Sequence, residues 1–384
     1  MKLRAIFLAG DEFPPLPGGT GTVIYYAASN LKADKIAVLS SVRNAAPSSN
    51  YSVHFSPLFS ERSKILQLFS GIRLVIWAKY IFRPTLIIVG SLWYGNVGLL
   101  LKKHLKVPMI LYAHGTEILR LQSYQWDKPR LVLMAADMLL PNSRYTRGLL
   151  LDCGIDSSKI EVIHHAADPA IFYPLPEEEI AALKNRHGLN DRRIILTVAN
   201  LQRHKGQDMV IKALPAIRKE IPNVVYCIVG KGRDEQYLRA LSGRIGVGQY
   251  VQILSAVNSR EELREYYNMC DVYIMPSRMI PERKDVEGFG IAYLEANACG
   301  KPVIGGRSGG VPDAVVEEVT GLLVEPESID DISRAVIKLC HDSQLARRLG
   351  DNGRERVIRE LNWRNRAERL REVCDRVLSN GQKA

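Results

Sequence analysis

Residues 194–229, with the sequence IILTVANLQRHKGQDMVIKALPAIRKEIPNVVYCIV, contain the pattern that decides the fold. A short, mostly apolar run at 194–198 is followed by an amphipathic stretch at 207–220 and a second apolar run at 224–229. Apolar runs of this length, rich in β-branched residues, are typical of strands that are covered on both faces of a sheet. The pattern therefore predicts two parallel strands joined by a crossover helix.

The same alternation extends over the rest of the chain. In the first half, the apolar runs predict strands at 3–9, 35–39, 85–89, 109–113, 138–141 and 160–164. In the second half, they predict strands at 194–198, 224–229, 251–254, 272–275, 302–304 and 321–324. Since helical stretches separate most of these runs, we predict an α/β fold of two Rossmann-like domains, each with a doubly wound parallel sheet.

A proline-rich stretch divides the chain of 384 residues into these two domains. The alternation pauses at 168–176, so we place the N-terminal domain at 1–172 and the C-terminal domain at 173–362. The final segment, 363–384, begins with an amphipathic helix that we expect to cross back to the N-terminal domain. Because parallel sheets bind ligands beyond the carboxyl ends of their strands, we expect the active site in the cleft between the domains.

The chain is basic, and the excess charge is concentrated in its first half. The formal net charge is +11, and residues 1–172 contribute 19 basic against 11 acidic side chains. Such an excess favours an anionic partner: a nucleic acid, a phosphorylated small molecule or an anionic membrane surface. No recognition-helix, RRM or OB-fold pattern supports a nucleic-acid partner, and a cleft that binds phosphates explains the charge equally well.

Cysteine spacing and the apolar segments bear on the location of the protein. Six cysteines occur without a CxxC pair, which indicates reduced thiols rather than a disulfide framework or a zinc site. The N-terminus lacks the apolar region of a signal peptide, and the uncharged stretch 84–101 contains turn residues such as Pro84 and Gly95. We therefore expect a cytoplasmic protein, and its oligomeric state stays open.

A glycine-rich turn that includes Gly18 and Gly19 lies between the first predicted strand and a predicted helix at 22–31. Backbone N–H groups at the start of a helix can bind phosphate or carboxylate, although a plain tight turn explains the sequence equally well. The turn matches neither G-x-G-x-x-G nor a Walker A motif. This argues against a dinucleotide-dependent oxidoreductase.

Basic side chains directly follow two of the predicted strands. His114 comes after the strand at 109–113, and Arg203 and Lys205 come shortly after the strand at 194–198. Positive charge at a strand end suits a diphosphate leaving group, on which negative charge grows as its bond breaks. A structural histidine and a solvated basic turn remain the alternatives at these positions.

The segment DVEGFGIAYLEA, residues 285–296, is the most specific signal in the sequence. Glu287 and Glu295 stand eight residues apart, and Gly288 and Gly290 lie between a loop and a predicted helix. Backbone N–H groups at the start of this helix could hold a phosphate, Glu295 could accept hydrogen bonds from ribose hydroxyls, and Glu287 could face a sugar. An ordinary amphipathic helix with acidic residues near its start is the alternative.

Taken in this order along nearly the whole chain, the motifs resemble the retaining glycosyltransferases of family 4, which have the GT-B fold. The motifs that carry the resemblance are the Gly18–Gly19 turn, His114-Gly115, Asn142-Ser143-x-x-Thr146, Asp168-x-x-x-Phe172-x-Pro174, Lys205-Gly206, Gly230-x-Gly232, Glu287-x7-Glu295 and Ser308-Gly309-Gly310-x-Pro312. Within the family, residues 277–290 resemble the phosphatidylinositol mannosyltransferases.

The resemblance implies that the N-terminal domain binds the acceptor and the C-terminal domain binds the nucleotide sugar. The implied contacts are Lys205 with the diphosphate, the backbone around Gly288, Phe289 and Gly290 with the phosphates, Glu295 with the ribose, Glu287 with the transferred sugar, His114 with the donor sugar near its reacting carbon, and the Gly18–Gly19 turn with a donor or acceptor phosphate. Retention of the anomeric configuration, by front-face attack with a diphosphate oxygen assisting deprotonation, needs no protein nucleophile. No metal and no cofactor beyond the donor is implied, in keeping with the absence of an Asp-x-Asp motif.

The donor and the turnover of the enzyme are less closely defined by the resemblance. GDP-mannose is our first expectation, and UDP-glucose or UDP-N-acetylglucosamine is the alternative. The family usually has arginine where this chain has Asn200, and that arginine pairs with the diphosphate; Arg203 could take its place. The departure at Asn200 also leaves open a protein that binds nucleotide sugars without turnover.

The segment 61–83 bears on the acceptor, for which we expect a saccharide or a lipid-linked molecule. Basic residues such as Arg73 and Lys79 alternate there with aromatic and aliphatic ones such as Phe69 and Tyr80. Such a stretch can lie in an anionic membrane interface, which would make the protein peripheral at the inner face of the membrane. The alternative, which we favour for most of the apolar residues, is an ordinary helix packed on the sheet.

Overall fold

The computed structural model describes residues 2–10, 13–14, 19–42, 48–56, 64–121, 127–254, 257 and 259–380. The chain forms two compact units. The N-terminal unit comprises Met1–His165 together with Trp363–Ala384, and the C-terminal unit comprises Ala166–Asn362.

The N-terminal unit contains a parallel sheet of six strands in the order β3-β2-β1-β4-β5-β6. Its strands are β1 (Arg4–Gly10), β2 (Lys35–Ser40), β3 (Ser52–Phe55), β4 (Leu86–Val89), β5 (Met109–Ala113) and β6 (Met138–Pro141). Its helices are α1 (Gly19–Asn30), α2 (Lys64–Ile76), a π-helical turn (Trp77–Phe82), α3 (Gly95–Leu105), α4 (Thr116–Leu121), α5 (Asp127–Ala135) and α6 (Arg144–Asp152).

The C-terminal unit contains a second parallel sheet of six strands, in the order β12-β11-β10-β7-β8-β9. Its strands are β7 (Arg193–Val198), β8 (Val224–Val229), β9 (Val251–Leu254), β10 (Val272–Met275), β11 (Val303–Gly306) and β12 (Gly321–Val324). Its helices are α7 (Glu177–Arg186), α8 (Gln207–Glu220), α9 (Glu235–Arg244), α10 (Arg260–Met269), α11 (Ile291–Ala298), α12 (Val311–Ala314), α13 (Ile329–His341) and α14 (Ser343–Arg359).

The predicted α/β class with two doubly wound parallel sheets is confirmed. Alternate residues of the buried strands face opposite apolar clusters: Ile194 and Leu196 of β7 pack in one, and Ile195 packs in the other. Both faces of the sheet are therefore covered, which is the reason that these strands lack the polar alternation of half-exposed ones.

The structure differs from the predicted strands at two places. The segment at 160–164 forms only an isolated bridge, between Leu139 and Ile160, because Pro141 of β6 has no N–H to extend the ladder. The edge strand β3 was not predicted, because its residues are partly exposed and lack a continuous apolar run. Short edge strands of this kind carry little sequence signal.

The last helix, α15 (Trp363–Asn380), belongs to the N-terminal unit. The ring of Trp363 stacks on Tyr26 of α1 with the ring centroids 4.5 Å apart. The Glu161 carboxylate forms ion pairs with two arginines of this helix, Arg369 at 2.8 Å and Arg376. None of the helices within the described residues has the length and apolar character that crossing a membrane requires.

Candidate active site

The centre of the candidate site is an ion pair between two loops that follow neighbouring strands. Lys205 comes after β7, Glu287 comes after β10, and the Lys205 Nζ donates to Glu287 Oε2 at 2.5 Å. The order of the sheet reverses between β7 and β10, and ligands bind open parallel sheets at such a switch point. The sequence-predicted residues Lys205 and Glu287 therefore meet where this fold binds ligands.

The loop that carries Lys205 is fixed against the loop after β10. Residues Arg203–Lys205 form a single 3-10 turn, and Gly206 ends it with a φ of 80° before α8 begins. A Cβ atom at Gly206 would lie 2.2 Å from the carbonyl oxygen of Pro276. Glycine is required here both for the backbone conformation and for the close approach of the two loops.

The Glu287 side is held by the loop after β11. The backbone N–H of Gly310 donates to the carbonyl oxygen of Glu287 at 2.9 Å. Burial alone would raise the pKa of Glu287, but the ammonium group of Lys205 and the backbone N–H of Phe289 outweigh it and hold the pKa below its usual value. Glu287 is therefore a carboxylate at neutral pH.

Buried polar residues support the loop that carries Lys205. Burial and the charge of Lys205 lower the pKa of His204 to about 4, so this imidazole is neutral. The carbonyl oxygen of His204 accepts from the backbone N–H of Arg278 at 2.8 Å. The guanidinium of Arg278 in turn makes a bidentate, buried ion pair with Asp208, with N–O distances of 2.9 and 3.0 Å. Arg278 lies 70 positions from Asp208 in the sequence, and no spacing pattern links the two.

The start of α11 supplies backbone donors beside the ion pair. Gly290 is the N-cap of this helix with a φ of 99°, and Gly288 and Phe289 before it are buried. A Cβ atom at Gly290 would lie 2.5 Å from the ring of Tyr293. The first N–H groups of a helix are without intrahelical partners and favour an anion, so this turn is suited to a phosphate.

Glu295 lies one turn into α11 and is anchored by a buried tyrosine. The Tyr267 hydroxyl donates to Glu295 Oε2 at 2.9 Å. Burial raises the pKa of Glu295, and the hydrogen bond from Tyr267 and the charge of Arg260 only partly offset this effect. Tyr267 was missed by the sequence reasoning, because a tyrosine in an amphipathic helix gives no signal of a partner 28 residues away.

Asn200 and Arg203 occupy the loop after β7. Asn200 is exposed at the end of the strand, and its carbonyl oxygen accepts from Gln207 at 3.1 Å. The Arg203 guanidinium lies over the ring of Tyr237, 4.2 Å from the centroid, and 3.7 Å from the Asp208 carboxylate. Arg203 is thus engaged with residues on the helical side of the loop.

His114 and Gly19 belong to the N-terminal unit. His114 directly follows β5, and its Nε2–H donates to the carbonyl oxygen of Gly90, after β4, at 2.8 Å. Its backbone N–H donates to the Glu117 carboxylate at 2.7 Å, so both the ring and the chain are oriented. Gly19 is the first residue of α1, whereas Gly18 lies outside the described residues.

Helix α2 and the π-helical turn after it present an apolar surface that is not packed on the sheet. The residues of this surface, here called the α2 apolar surface, are about half exposed or more: Leu66, Leu68, Phe69, Ile72, Ile76, Tyr80 and Ile81. Among the described side chains of this stretch, Leu74, Ala78 and Phe82 are buried, as is Gly71. The expectation that most apolar residues of 61–83 pack on the sheet is therefore wrong for the described part of that segment.

The two units match two family models. The model of Glycosyltransferase Family 4 matches residues 17–171, and the model of Glycosyl transferases group 1 matches residues 179–356. The protein is therefore a glycosyltransferase, as the motifs predict. It belongs to the family 4 and group 1 glycosyltransferases, with both characteristic domains in one chain.

Relatives among characterised proteins include mannosyltransferases. A GDP-mannose-dependent α-(1-6)-phosphatidylinositol monomannoside mannosyltransferase of Mycolicibacterium smegmatis is 37% identical over 238 residues, which span 62% of this chain and 62% of that relative. A GDP-mannose-dependent monoacylated α-(1-6)-phosphatidylinositol monomannoside mannosyltransferase of Corynebacterium glutamicum is 28% identical over 96% of this chain and 97% of its own length.

Solved structures share the fold at lower identity. The Anabaena protein HepE, solved with UDP and glucose, has a TM-score of 0.79 at 19% identity and covers 97% of this chain and 99% of its own. The sucrose-phosphate synthase of Thermosynechococcus elongatus has a TM-score of 0.79 at 22% identity over 98% of this chain and 100% of its own. These likenesses confirm the predicted GT-B fold.

Proposed function

We propose that the protein is a retaining mannosyltransferase that transfers mannose from GDP-mannose to a hydroxyl group of a lipid-linked acceptor, without a metal ion. The Lys205–Glu287 ion pair at the switch point of the C-terminal sheet is the observation that carries the proposal. The activities for which the relatives from Mycolicibacterium and Corynebacterium are named support both the donor and the lipid class of the acceptor.

The charges around the ion pair suit a nucleotide sugar. Lys205 binds the diphosphate, and the N–H groups at Gly290 and at the start of α11 share its negative charge. The preorganised cation and dipoles act most strongly on the leaving diphosphate, on which charge develops during the reaction. Glu287 accepts hydrogen bonds from hydroxyl groups of the transferred sugar, and Glu295 accepts them from the ribose.

The reaction itself needs no nucleophile from the protein. The acceptor oxygen forms its bond to the anomeric carbon on the face from which the diphosphate departs, and the carbon–oxygen bond to the diphosphate breaks. The acceptor proton passes to an oxygen of the departing diphosphate, so that the configuration is retained and the charges balance. His114, oriented by Gly90 and Glu117, contacts the donor sugar near the reacting carbon.

The N-terminal unit binds the acceptor, and the α2 apolar surface brings it to an anionic membrane. Its exposed aliphatic and aromatic side chains suit the acyl boundary of a bilayer, and Arg73, Lys79 and Arg83 beside them are exposed cations that suit anionic headgroups. Each such cation near an anionic surface contributes about 1 kcal/mol.

Vesicle flotation tests the membrane proposal. The wild type is expected to float with vesicles that contain anionic phospholipid at low salt, and the double variant Leu68→Ser/Ile81→Ser is expected to stay at the bottom. Val319→Ser removes an exposed aliphatic side chain of the C-terminal unit and serves as the matched control. Absence of wild-type binding even at low salt contradicts the membrane proposal.

A transfer assay with labelled GDP-mannose and a phosphatidylinositol mannoside tests the main proposal. Wild type is expected to transfer or hydrolyse the donor, and Glu287→Ala is expected to lose this activity, whereas Glu282→Ala, at an exposed position of the same loop, keeps it.

A thermal-shift comparison of GDP, UDP, ADP and their sugars identifies the base, since a ligand of the folded state raises the Tm. Turnover with only UDP-glucose or UDP-N-acetylglucosamine would contradict GDP-mannose as the donor. Binding of nucleotide sugars without any turnover would contradict the proposal that the protein is an enzyme.

A further inference from the structure

The loop after β8, residues 230–233, makes a close backbone contact with the loop after β7. Gly230 has a φ of 151°, and a Cβ atom there would lie 2.0 Å from the carbonyl oxygen of Ala199. A Cβ atom at Gly232 would lie 2.3 Å from the carbonyl oxygen of Leu201. The two glycines therefore permit a backbone contact that no larger residue allows, and this contact fixes where the next residue, Arg233, lies.

Hydrogen bonds hold the two loops together on both sides of Arg233. The backbone N–H of Leu201 donates to the carbonyl oxygen of Lys231 at 2.9 Å, and the N–H of Asp234 donates to the carbonyl oxygen of Leu201 at 3.2 Å. Arg233 thus lies at the carboxyl end of the strand next to β7, beside the position that follows Asn200. The ionised groups Lys205, Glu287, Asp285 and Arg233 all act on the imidazole of His204, so Arg233 faces the same site as the central ion pair.

Arg233 is held loosely in this place. Its side chain is 55% exposed, and its guanidinium lies 3.4 Å from the carboxylate of the buried residue Asp285. An ion pair with one exposed partner is weak, so the guanidinium can move to a stronger anion at little cost. Until such an anion binds, the ion pair with Asp285 keeps the Arg233 guanidinium near the site.

Lys205 and Arg203, the cations of the loop after β7, do not by themselves match the charge of a diphosphate. A diphosphate ester carries about two negative charges, and the charge of Lys205 is shared with Glu287. Arg203 is engaged with Tyr237 and Asp208, and Asn200 is uncharged. A planar guanidinium on the neighbouring loop is the group that suits the remaining phosphate oxygens, because it binds two of them at once.

We propose that Arg233 binds the diphosphate of the donor together with Lys205 and supplies the charge that is lacking at Asn200. This inference rests on the proposed function, because it assumes a nucleoside diphosphate in the C-terminal unit. It places a residue that contacts the donor at the end of β8, where the sequence motifs do not indicate a cation. Arg233 leaves Asp285 when the donor binds and returns to it when the nucleoside diphosphate dissociates.

Calorimetry with Arg233→Gln, which removes the charge and keeps most of the length, tests the inference. The Kd for GDP is expected to rise about 10-fold to 100-fold, as expected for loss of a charge-assisted contact, while the Kd for guanosine stays unchanged. Arg244→Gln, at an exposed arginine in the last turn of α9, is the matched control and is expected to bind GDP like the wild type. If the wild type prefers UDP, the same comparison is made with UDP and uridine.

A rescue experiment separates a lost ligand contact from a disturbed loop. In the Arg233→Gln background, Asn200→Arg is expected to restore most of the affinity for GDP, because residue 200 adjoins the same contact between the loops. No recovery in the double variant would overturn the placement of Arg233 beside Asn200 at the phosphates.

The outcomes also distinguish the inference from the function on which it rests. An Arg233→Gln variant that binds GDP as tightly as the wild type, or that loses guanosine in equal measure, overturns the inference and leaves the proposed function standing. A wild type that binds neither GDP nor UDP overturns the proposed function and the inference with it.

Discussion

The ion pair between Lys205 and Glu287 leads to a prediction in which binding and transfer change in opposite directions. Replacing Glu287 by glutamine keeps the shape of the side chain and removes its charge. In the wild type without donor, Glu287 holds Lys205 and also repels a diphosphate. Glu287→Gln is therefore expected to bind GDP more tightly and to transfer mannose far more slowly, because the proposed contact of Glu287 with the sugar is weakened.

The magnitude follows from the geometry of the pair. Two unit charges 2.5 Å apart attract by about 7 kcal/mol at an effective dielectric constant near 20. Desolvation of both partly buried ions offsets most of this attraction, and a hydrogen bond to a charged group retains a net of about 1.5–3 kcal/mol. Since the glutamine amide still accepts from Lys205, we expect a gain of about 1–2 kcal/mol for GDP, which is about 5-fold to 30-fold in Kd.

Calorimetry with GDP and a transfer assay with labelled GDP-mannose measure the two effects on the same preparations. Transfer by Glu287→Gln is expected to fall by about 100-fold or more, the scale of a lost transition-state contact. Glu282→Gln in the same loop removes an exposed charge and is expected to change neither quantity. Weaker binding of GDP by Glu287→Gln would refute the reasoning, because Glu287 would then support the diphosphate instead of competing with it.

Three further variants test the other parts of the site. Lys205→Ala is expected to lower kcat more than it weakens binding of guanosine, because in the proposed reaction Lys205 faces charge that develops on the diphosphate; an unchanged kcat removes it from the mechanism. Glu295→Gln is expected to weaken donor binding through the ribose and to raise the Tm at pH 8. Burial raises the folded pKa of Glu295, so its ionisation destabilises the fold as the pH rises through that pKa, and the advantage of the glutamine should vanish at low pH in a pH series of melting curves. Gly290→Ala is expected to lower the Tm by several degrees, about 2–4 °C for each 1 kcal/mol, because it strains a φ of 99° and contacts Tyr293, whereas Gly243→Ala, at a helical position with open space, is expected to raise it.

The sequence predicted the layer architecture well because the strands are buried on both faces. Strands with buried residues such as Ile195 and Val225 are apolar throughout, wherever they lie in the sheet. The helices that connect these strands favour parallel pairing. Strand β3 and the segment at 160–164 show the limit of this signal. Their pairing depends on edge position and on the missing N–H of Pro141, which local hydrophobicity does not record.

The candidate site was predictable where a motif itself sets the geometry. Gly206 ends the loop before α8, and Gly290 is the N-cap of α11. Glu287 lies before this N-cap and Glu295 lies one turn after it, so the helix start sets their relative positions. The supporting residues could not be predicted in this way. Tyr267 reaches Glu295 from α10, and the buried pair of Arg278 with Asp208 joins residues 70 positions apart, so that only the tertiary fold brings them together.

The loop after β7 shows that closeness in sequence does not decide which way a charged side chain points. Arg203 lies only three residues from Asn200 and therefore suggested itself as a replacement for a missing cation. The 3-10 turn at Arg203–Lys205 makes successive side chains point in different directions, so that Lys205 reaches Glu287 while Arg203 lies on Tyr237. The cation that we propose for the position of Asn200 comes instead from a neighbouring strand end. Arg233 lies there because two glycines bring its loop against Leu201, a contact that connects residues more than thirty positions apart and leaves no trace in local spacing.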